Sequence, residues 1–281
     1  MNTVKDQSIL ITGSTDGIGK LTALKLAKQN AHVLIHGRNK EKVKRVVDEI
    51  KKESGNQNIE GLTADFSSLA EVRKLGGEVI SKYKKIDVLI NNAGVGYSDP
   101  RYSKDGYELR FAVNYLAPFL FTQLLLPSLR NAAKVPGRKE TARIVNVSSI
   151  GQLPINFEDI MFEKKFDGVQ AYRQSKLALI MFTIDLANQL REERITVNSL
   201  HPGTYLNTNM VRKANITPMG EPEIGADAEI YLATSTDMEG VTGKYLNIKV
   251  EAKANAQAYN QEARKKLREI GLKYTGLRQS I

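Results

Sequence analysis

From residue 8 to about residue 250 the chain repeats one unit, a short run of consecutive apolar residues followed by a stretch with apolar residues at helical spacing. "SILIT" (8–12), "AHVLIHG" (31–37), "NIEGLTAD" (58–65), "IDVLINN" (86–92), "RIVNVSS" (143–149) and "ITVNSLHP" (195–202) are the runs. "GIGKLTALKLAKQN", "KEKVKRVVDEIKKES", "SLAEVRKLGGEVISKY", a long stretch from about Asp105 to Leu129, and Gln170 to Arg191 are the helices between them. Strands that are apolar at every position are buried on both faces, and strands separated by helices pair in parallel through right-handed crossovers. The pattern therefore predicts an α/β chain: a single doubly wound parallel sheet of about seven strands with helices on both faces.

No linker rich in Pro, Gly or Ser and no repeat of fixed period interrupts this alternation, so one domain spanning 1–281 is expected. Two segments stand apart from it. "TYLNTNMVRKANITPMGEP" (about 204–222) has weak periodicity and is read as a lid. The amphipathic stretch at about 255–270 is read as a last helix that either packs on the body or meets another subunit. With no cysteine, the chain can have no disulfide, thiolate nucleophile or thiolate metal site. The three histidines form no ligand-like cluster, so no metal is expected. The net charge of +10 lies largely in helical stretches where acids are interleaved, which reads as solvated helix faces and not as a nucleic-acid surface. No apolar run looks long enough for a signal core or a membrane span, and a cytoplasmic protein without a membrane partner is expected.

"TGSTDGIG" (12–19) joins the first strand to the first helix. Glycines in such a turn bring backbone amides close to a ligand, and the helix beyond offers unpaired N–H groups at the positive end of its dipole. Gly13, Gly17, Ile18 and Gly19 are therefore candidate dinucleotide contacts. At the end of the second strand, "LIHGRN" has Arg38 where an acid would bond the ribose hydroxyls of NAD. A guanidinium there suits a 2′-phosphate, so NADP(H) is preferred and NAD(H) is the lesser alternative, although Arg38 could instead merely cap the strand end. Tyr172 and Lys176 stand four residues apart on one helix face, close enough to act on one point. The same spacing is also compatible with an ordinary surface pair.

Taken in order, "TGSTDGIG", "AD" (64–65), "NNAG" (91–94), Asn114 in "FAVNYLAPFLFT", "NVSS" (146–149), "YRQSK" (172–176) and "HPG" (201–203) resemble the short-chain dehydrogenase/reductase family over almost the whole chain. Within it, "GKLTALKLA", "FAVNYLAPFLFTQLLLP", "STDMEGVTGKYL" and the long insertion between Ser149 and Tyr172 are most similar to the retinol-dehydrogenase-like group. The resemblance implies a Rossmann sheet and the interconversion of a carbonyl and an alcohol by hydride transfer with NADP(H). It casts Tyr172 as proton donor and acceptor and Lys176 as the ribose ligand that lowers the phenol's pKa. Ser149 would bond the reacting oxygen, and Asn114 would hold a water. Asp65 and Phe66 would lie by the adenine, Asn91, Ala93 and Gly94 along the ribose and sheet floor, and Pro202 and Gly203 near the nicotinamide. Bringing a phenol from its usual value of about 10 to about 7 takes roughly 4 kcal/mol, which an ammonium and an oxidised nicotinamide in a partly dry pocket could supply. A homodimer or homotetramer is expected on the same ground. The substrate is expected to be an apolar small-molecule carbonyl or alcohol, lined by Tyr97, Leu153, Ile155, Phe157, Tyr205 and Met210. A non-enzymatic dinucleotide-sensing regulator on the same fold is the alternative, but a sensor has no need of a proton relay.

Overall fold

A computed structural model describes residues 4–135 and 141–278. Its centre is one sheet, ordered β3-β2-β1-β4-β5-β6-β7-β8. The strands are β1 (Ser8–Ile11), β2 (His32–Gly37), β3 (Ile59–Thr63), β4 (Val88–Asn91), β5 (Ala142–Val147), β6 (Ile195–His201), β7 (Tyr245–Asn247) and β8 (Val250–Glu251). The first seven pair in parallel, as the continuous apolar runs require; Ile9, Leu10 and Ile11 in β1 have no exposed surface. One strand more than the expected seven is present. β8 turns back antiparallel onto β7 over two exposed residues, too short to leave an apolar signature.

Helices cover both faces: α1 (Gly17–Lys28), α2 (Lys40–Ser54), α3 (Leu69–Lys82), α4 (Leu109–Phe111), α5 (Ala117–Ala133), α6 (Gly168–Gln189), α7 (Asn209–Lys213), α8 (Pro222–Thr234) and α9 (Gln261–Thr275). Side-chain caps set several starts. Asp16, Asn39 and Ser68 accept from the first turns of α1, α2 and α3. Asp167 accepts from Val169 and Gln170, so α6 begins two residues before the expected Gln170.

α4 runs through a π turn (Ala112–Leu116) directly into α5. The expected start at Asp105 is wrong because that carboxylate accepts from Leu69 N–H at the head of α3, while Glu108 caps α4. This continuous helix, Leu109–Ala133, is long and apolar enough to cross a membrane by length and composition, contrary to the sequence reading. Its most apolar window is 89% buried within the fold, however, because sheet, α3, α6 and α9 surround it. Residues 136–140 of the polar loop that follows lie outside the described residues.

The C-terminal stretch starts later than expected, since Asn255 caps a separate 3₁₀ turn (Ala256–Tyr259) and Asn260 caps α9. Of its two possible roles, the structure shows packing on the body. Tyr115 Oη donates to Leu267 O at 3.0 Å, Arg268 pairs with Asp185 at 3.0 Å, and a Cβ on Gly271 would come within 2.8 Å of Tyr115 Oη. The excursion at 204–222 carries α7 and is pinned by buried Leu206, which would lie 3.0–3.2 Å from a Cβ at Gly203, Gly220 or Gly225 and so packs closely against all three glycines.

Between α1 and α8 sits Glu229, fully buried, with one carboxyl oxygen accepting from Thr22 Oγ1 at 2.7 Å and the other unpartnered. Burial pushes this carboxyl up to about 8, against a partial lowering from Thr22. A folded-state value above the unfolded one means that the stabilising protonated form is complete below about 4.5 and is lost as pH rises towards 8. Thermal melts of Glu229→Gln are therefore expected to show a flatter dependence between about pH 5 and 8 and a higher Tm at pH 8 than the parent. An unchanged slope would mean that some other group titrates there.

Candidate active site

Both halves of the site form where loops leave the carboxyl ends of the strands. Beyond β1, Gly13 takes a left-handed φ of 65°, and a Cβ there would stand 2.7 Å from Ala93 Cα. Only glycine lets the turn lie so close to the loop after β4. Ser14 Oγ donates to Ile11 O and accepts from His36 N–H, locking the turn to β2. Gly13 N–H donates to His36 Nδ1, so the ring's other nitrogen carries the proton and donates to Ala64 O at 3.0 Å. Burial holds His36 down to about 4, and it stays neutral. Asp16 caps α1 through Gly17 N–H and also accepts from Lys42 at 2.9 Å and Asn209 at 2.6 Å. Partial burial pushes the Asp16 carboxyl up, but these bonds outweigh it and hold it below its usual range.

The turn opens on a cleft of about 680 Å³ that runs to Tyr172 and Lys176. At that end, Lys176 Nζ donates to Val147 O at 2.9 Å and lies 5.8 Å from the Tyr172 ring centroid. The Tyr172 phenol is hydrogen-bonded to Ser149, whose Oγ also accepts from Gly151 N–H. Burial lowers Lys176 to about 8. Burial also raises Tyr172, with Ser149 opposing and the phenols of Tyr97 and Tyr205 adding to the rise. The expected lowering of the phenol is thus not produced by the chain's own groups, because the ammonium is turned to a backbone carbonyl. Any lowering has to come from charge brought in with a ligand.

Most of the residues expected from the sequence converge here. Gly13, Gly17, Ile18, Arg38, Asp65, Phe66, Ala93, Gly94, Tyr172, Lys176 and Pro202 all line the cleft. Four expected contacts differ. Asn91 is buried beneath the floor, donating to Thr122 Oγ1 and Asn146 Oδ1, because it ends β4 with its side chain towards α5. Gly19 is a packing glycine, its missing Cβ making room for Asn92, which binds Thr12 O and Gly13 O. Gly203, at φ 131°, accommodates Leu206. The Asn114 side chain, held within the π turn, bonds Val95 N–H, Val95 O and Ser175 Oγ and is not among the cleft-lining residues. Ile155 and Phe157, expected in a substrate lining, instead contact Gln257 and Lys266 on the C-terminal segment.

Sequence reading missed Thr15, His36, Lys42, Asp99, Thr208, Asn209 and Lys213 as cleft residues, while Met210, expected in the substrate lining, does line the cleft. Most lie on excursions whose path carries no periodic signal. Lys42 could have been found, since it stands one helical turn beyond Arg38.

The model of the short chain dehydrogenase family matches residues 7–218. Retinol dehydrogenase 13 of Mus musculus is 33% identical over 292 residues, covering 98% of this chain and 85% of that protein. Among solved structures, the RhlG/NADP active-site complex of Pseudomonas aeruginosa superposes with a TM-score of 0.71 at 28% identity, covering 88% of this chain and 98% of the other. A 3-ketoacyl-(acyl-carrier-protein) reductase from Brucella melitensis complexed with NADH gives 0.68 at 26%, covering 87% and 97%.

Gly13 and Gly55 share a left-handed φ, 65° and 73°, but nothing lies within 4 Å of a Cβ at Gly55. Gly55→Ala is expected to lose about 1 kcal/mol of unfolding free energy in denaturant titrations, and Gly13→Ala more, because its Cβ would also meet the Ala93 backbone. Only Gly13→Ala is expected to weaken dinucleotide binding as well, measured by quenching or energy transfer on titration with NADPH. Equal binding by the two variants would remove Gly13 from the phosphate site.

Proposed function

The chain belongs to the short-chain dehydrogenase family, in its retinol-dehydrogenase-like group, and is an oxidoreductase of alcohols and carbonyls that uses a nicotinamide dinucleotide; on that premise we propose that it works with NADP(H) on an apolar small molecule. The observation that carries the reading is the convergence of Tyr172, Lys176 and Ser149 at one end of a cleft whose other end is the glycine turn.

The residues present fit the dinucleotide. Gly13, Thr15, Gly17 and Ile18 line the cleft where α1 begins, and an anionic diphosphate would be stabilised at that helix N-terminus. Arg38, exposed beside the cleft, and Lys42 would hold a 2′-phosphate; no acid ends β2 to bond a free ribose hydroxyl in its place. Lys42 is partly neutralised by Asp16, so Arg38 carries most of the preference. When bound, the cofactor gives or takes a hydride at the reacting carbon.

The chain's own groups handle the proton. In reduction, Tyr172 Oη donates to the carbonyl oxygen while Ser149 Oγ hydrogen-bonds the same atom. Burial, by raising Tyr172, keeps it protonated and ready for that direction. In oxidation the phenol must first lose its proton, and because Lys176 Nζ is turned to Val147 O, the charge that stabilises the anion would come from the oxidised nicotinamide. Met210 and Tyr102, both substantially exposed, line the cleft together with Val95 and Val113, which supports an apolar substrate.

Tyr172→Phe is expected to abolish turnover in a panel of carbonyl compounds followed by NADPH absorbance while leaving NADPH binding nearly intact; retained turnover would refute the assigned acid. Arg38→Asp is expected to move preference towards NADH by about 1–3 kcal/mol, the scale of a charge-assisted hydrogen bond. A kcat/KM ratio for the two cofactors that is equal before and after would take Arg38 out of the site.

A further inference from the structure

The sequence gives no hint of one buried charge that the proposed chemistry leaves unused. Arg110, in α4, has no exposed surface, and its ionic partner among the described residues is Glu108, also buried, at 3.0 Å. Nη1 donates to Pro100 O at 2.8 Å and Nη2 to Tyr97 O at 2.9 Å; Nη2 also donates to Asp99 O. Three backbone carbonyls of one four-residue loop thus converge on one guanidinium. A buried ion pair is costly to maintain, and a fork that is satisfied by a loop fixes that loop in place.

The loop is also held from its far side. Arg101 donates to Phe162 O, its guanidinium and that of Arg110 both lie over the Phe166 ring, and a Cβ on Gly168 would collide with Tyr97 O. Gly168 opens α6, the helix that carries Tyr172 one turn further on. The result is a direct contact: the Tyr97 ring stands edge-on to the Tyr172 ring, with centroids 6.2 Å apart and an interplanar angle of 79°. Next to it, Gly96 leaves room for Met210 of α7, 3.0 Å from a Cβ that the glycine lacks.

Tyr205, on the 204–222 excursion, has a left-handed φ of 46° that a tyrosine adopts only under constraint. Its phenol and that of Tyr97 each act electrostatically on Tyr172, and that of Tyr205 acts on Tyr97. Two phenols therefore flank the third, one on a stapled loop and one on the excursion.

We propose that Tyr97 is a specificity-determining residue that forms the fixed wall of the substrate pocket and shields Tyr172 from water, and that Arg110 is the positioning residue that holds it there. The inference rests on the proposed role of Tyr172 as the acid. The groups facing Tyr172 are Ser149 from the segment after β5, Lys176 on its own helix, Tyr97 from the loop after β4 and Tyr205 from the 204–222 excursion; His201, at the end of β6, faces Lys176 and is held neutral by burial. Of these, Tyr97 is the aromatic ring in edge contact with the phenol, so its removal admits water where burial now raises the Tyr172 pKa.

Carbonyl reduction needs the protonated phenol, so its rate falls as pH rises through the Tyr172 value. Tyr97→Ala is expected to shift the alkaline limb of kcat to lower pH and to raise KM for bulky apolar carbonyls by tenfold or more, with NADPH affinity unchanged. Tyr97→Phe, which keeps the ring and loses only the phenol's own effect, is expected to return the limb most of the way to its wild-type position. Arg110→Lys, which keeps the charge and loses the fork, is expected to act in the direction of Tyr97→Ala; if that variant does not fold, the two Tyr97 variants decide the matter. A wild-type enzyme that turns over carbonyls while Tyr97→Ala has the same limb and KM overturns this inference alone. Absence of turnover in the wild type, or turnover by Tyr172→Phe, overturns the underlying assignment of the acid instead.

Discussion

The bond from Lys176 Nζ to Val147 O is the constraint on which the active end depends. It joins α6 to the last carbonyl of β5 and is matched in reverse by Ser148 Oγ, which donates to Lys176 O at 2.7 Å. Two turns further along the same helix face, Asn146 Nδ2 donates to Thr183 Oγ1. These bonds fix the rotation of α6, and rotation decides where Tyr172 points. An ammonium buried with one acceptor carries a desolvation cost, seen in its fall to about 8. A leucine at that position would pack at no such cost, so the charge has to be explained by what the site does with it.

Sheet order supplies the second constraint. β1 has β2 on one side and β4 on the other, and the chain winds outward in both directions from that junction. Loops after β1 and β4 therefore diverge to opposite faces of the sheet and leave a crevice above the strand ends. Gly13 and Ala93 stand on its two lips, and Asn92 ties them by donating to Thr12 O and Gly13 O. The glycines of this turn do two different jobs as a result. Gly13 and Gly17 open space to the cleft, whereas Gly19 closes space between helix and strand.

How much of this the sequence revealed follows from the range of the interactions. Strand and helix order came through because burial on two faces leaves every strand position apolar, a local signal. Tyr172 and Lys176 came through because a helix fixes the geometry of residues four apart. Asn91 was misplaced because adjacent residues in a strand point to opposite sides, and "NNAG" does not say which asparagine faces up. The role of Arg110 was not legible at all: it depends on a loop that returns to within reach of α4, and the sequence shows only a charged residue where an apolar one is expected. Leu109–Ala133 misled in the opposite sense, since a helix that is apolar all round is as much at home in a core as in a bilayer.

Net charge, by contrast, says little about the cleft. Charges on the solvated faces of α2 and α9 are screened over about 8 Å at physiological ionic strength. Near the adenosine end, Lys42 is paired with Asp16, and Lys104 with Asp65 and Glu71. Among the described residues Arg38 and Lys213 line the cleft without an ion pair, so the positive charge on offer there is local. On the proposed reading, an acidic chain with the same β2 end would be expected to choose the same cofactor, because a bidentate contact acts at hydrogen-bond range and does not depend on the sign of the whole molecule.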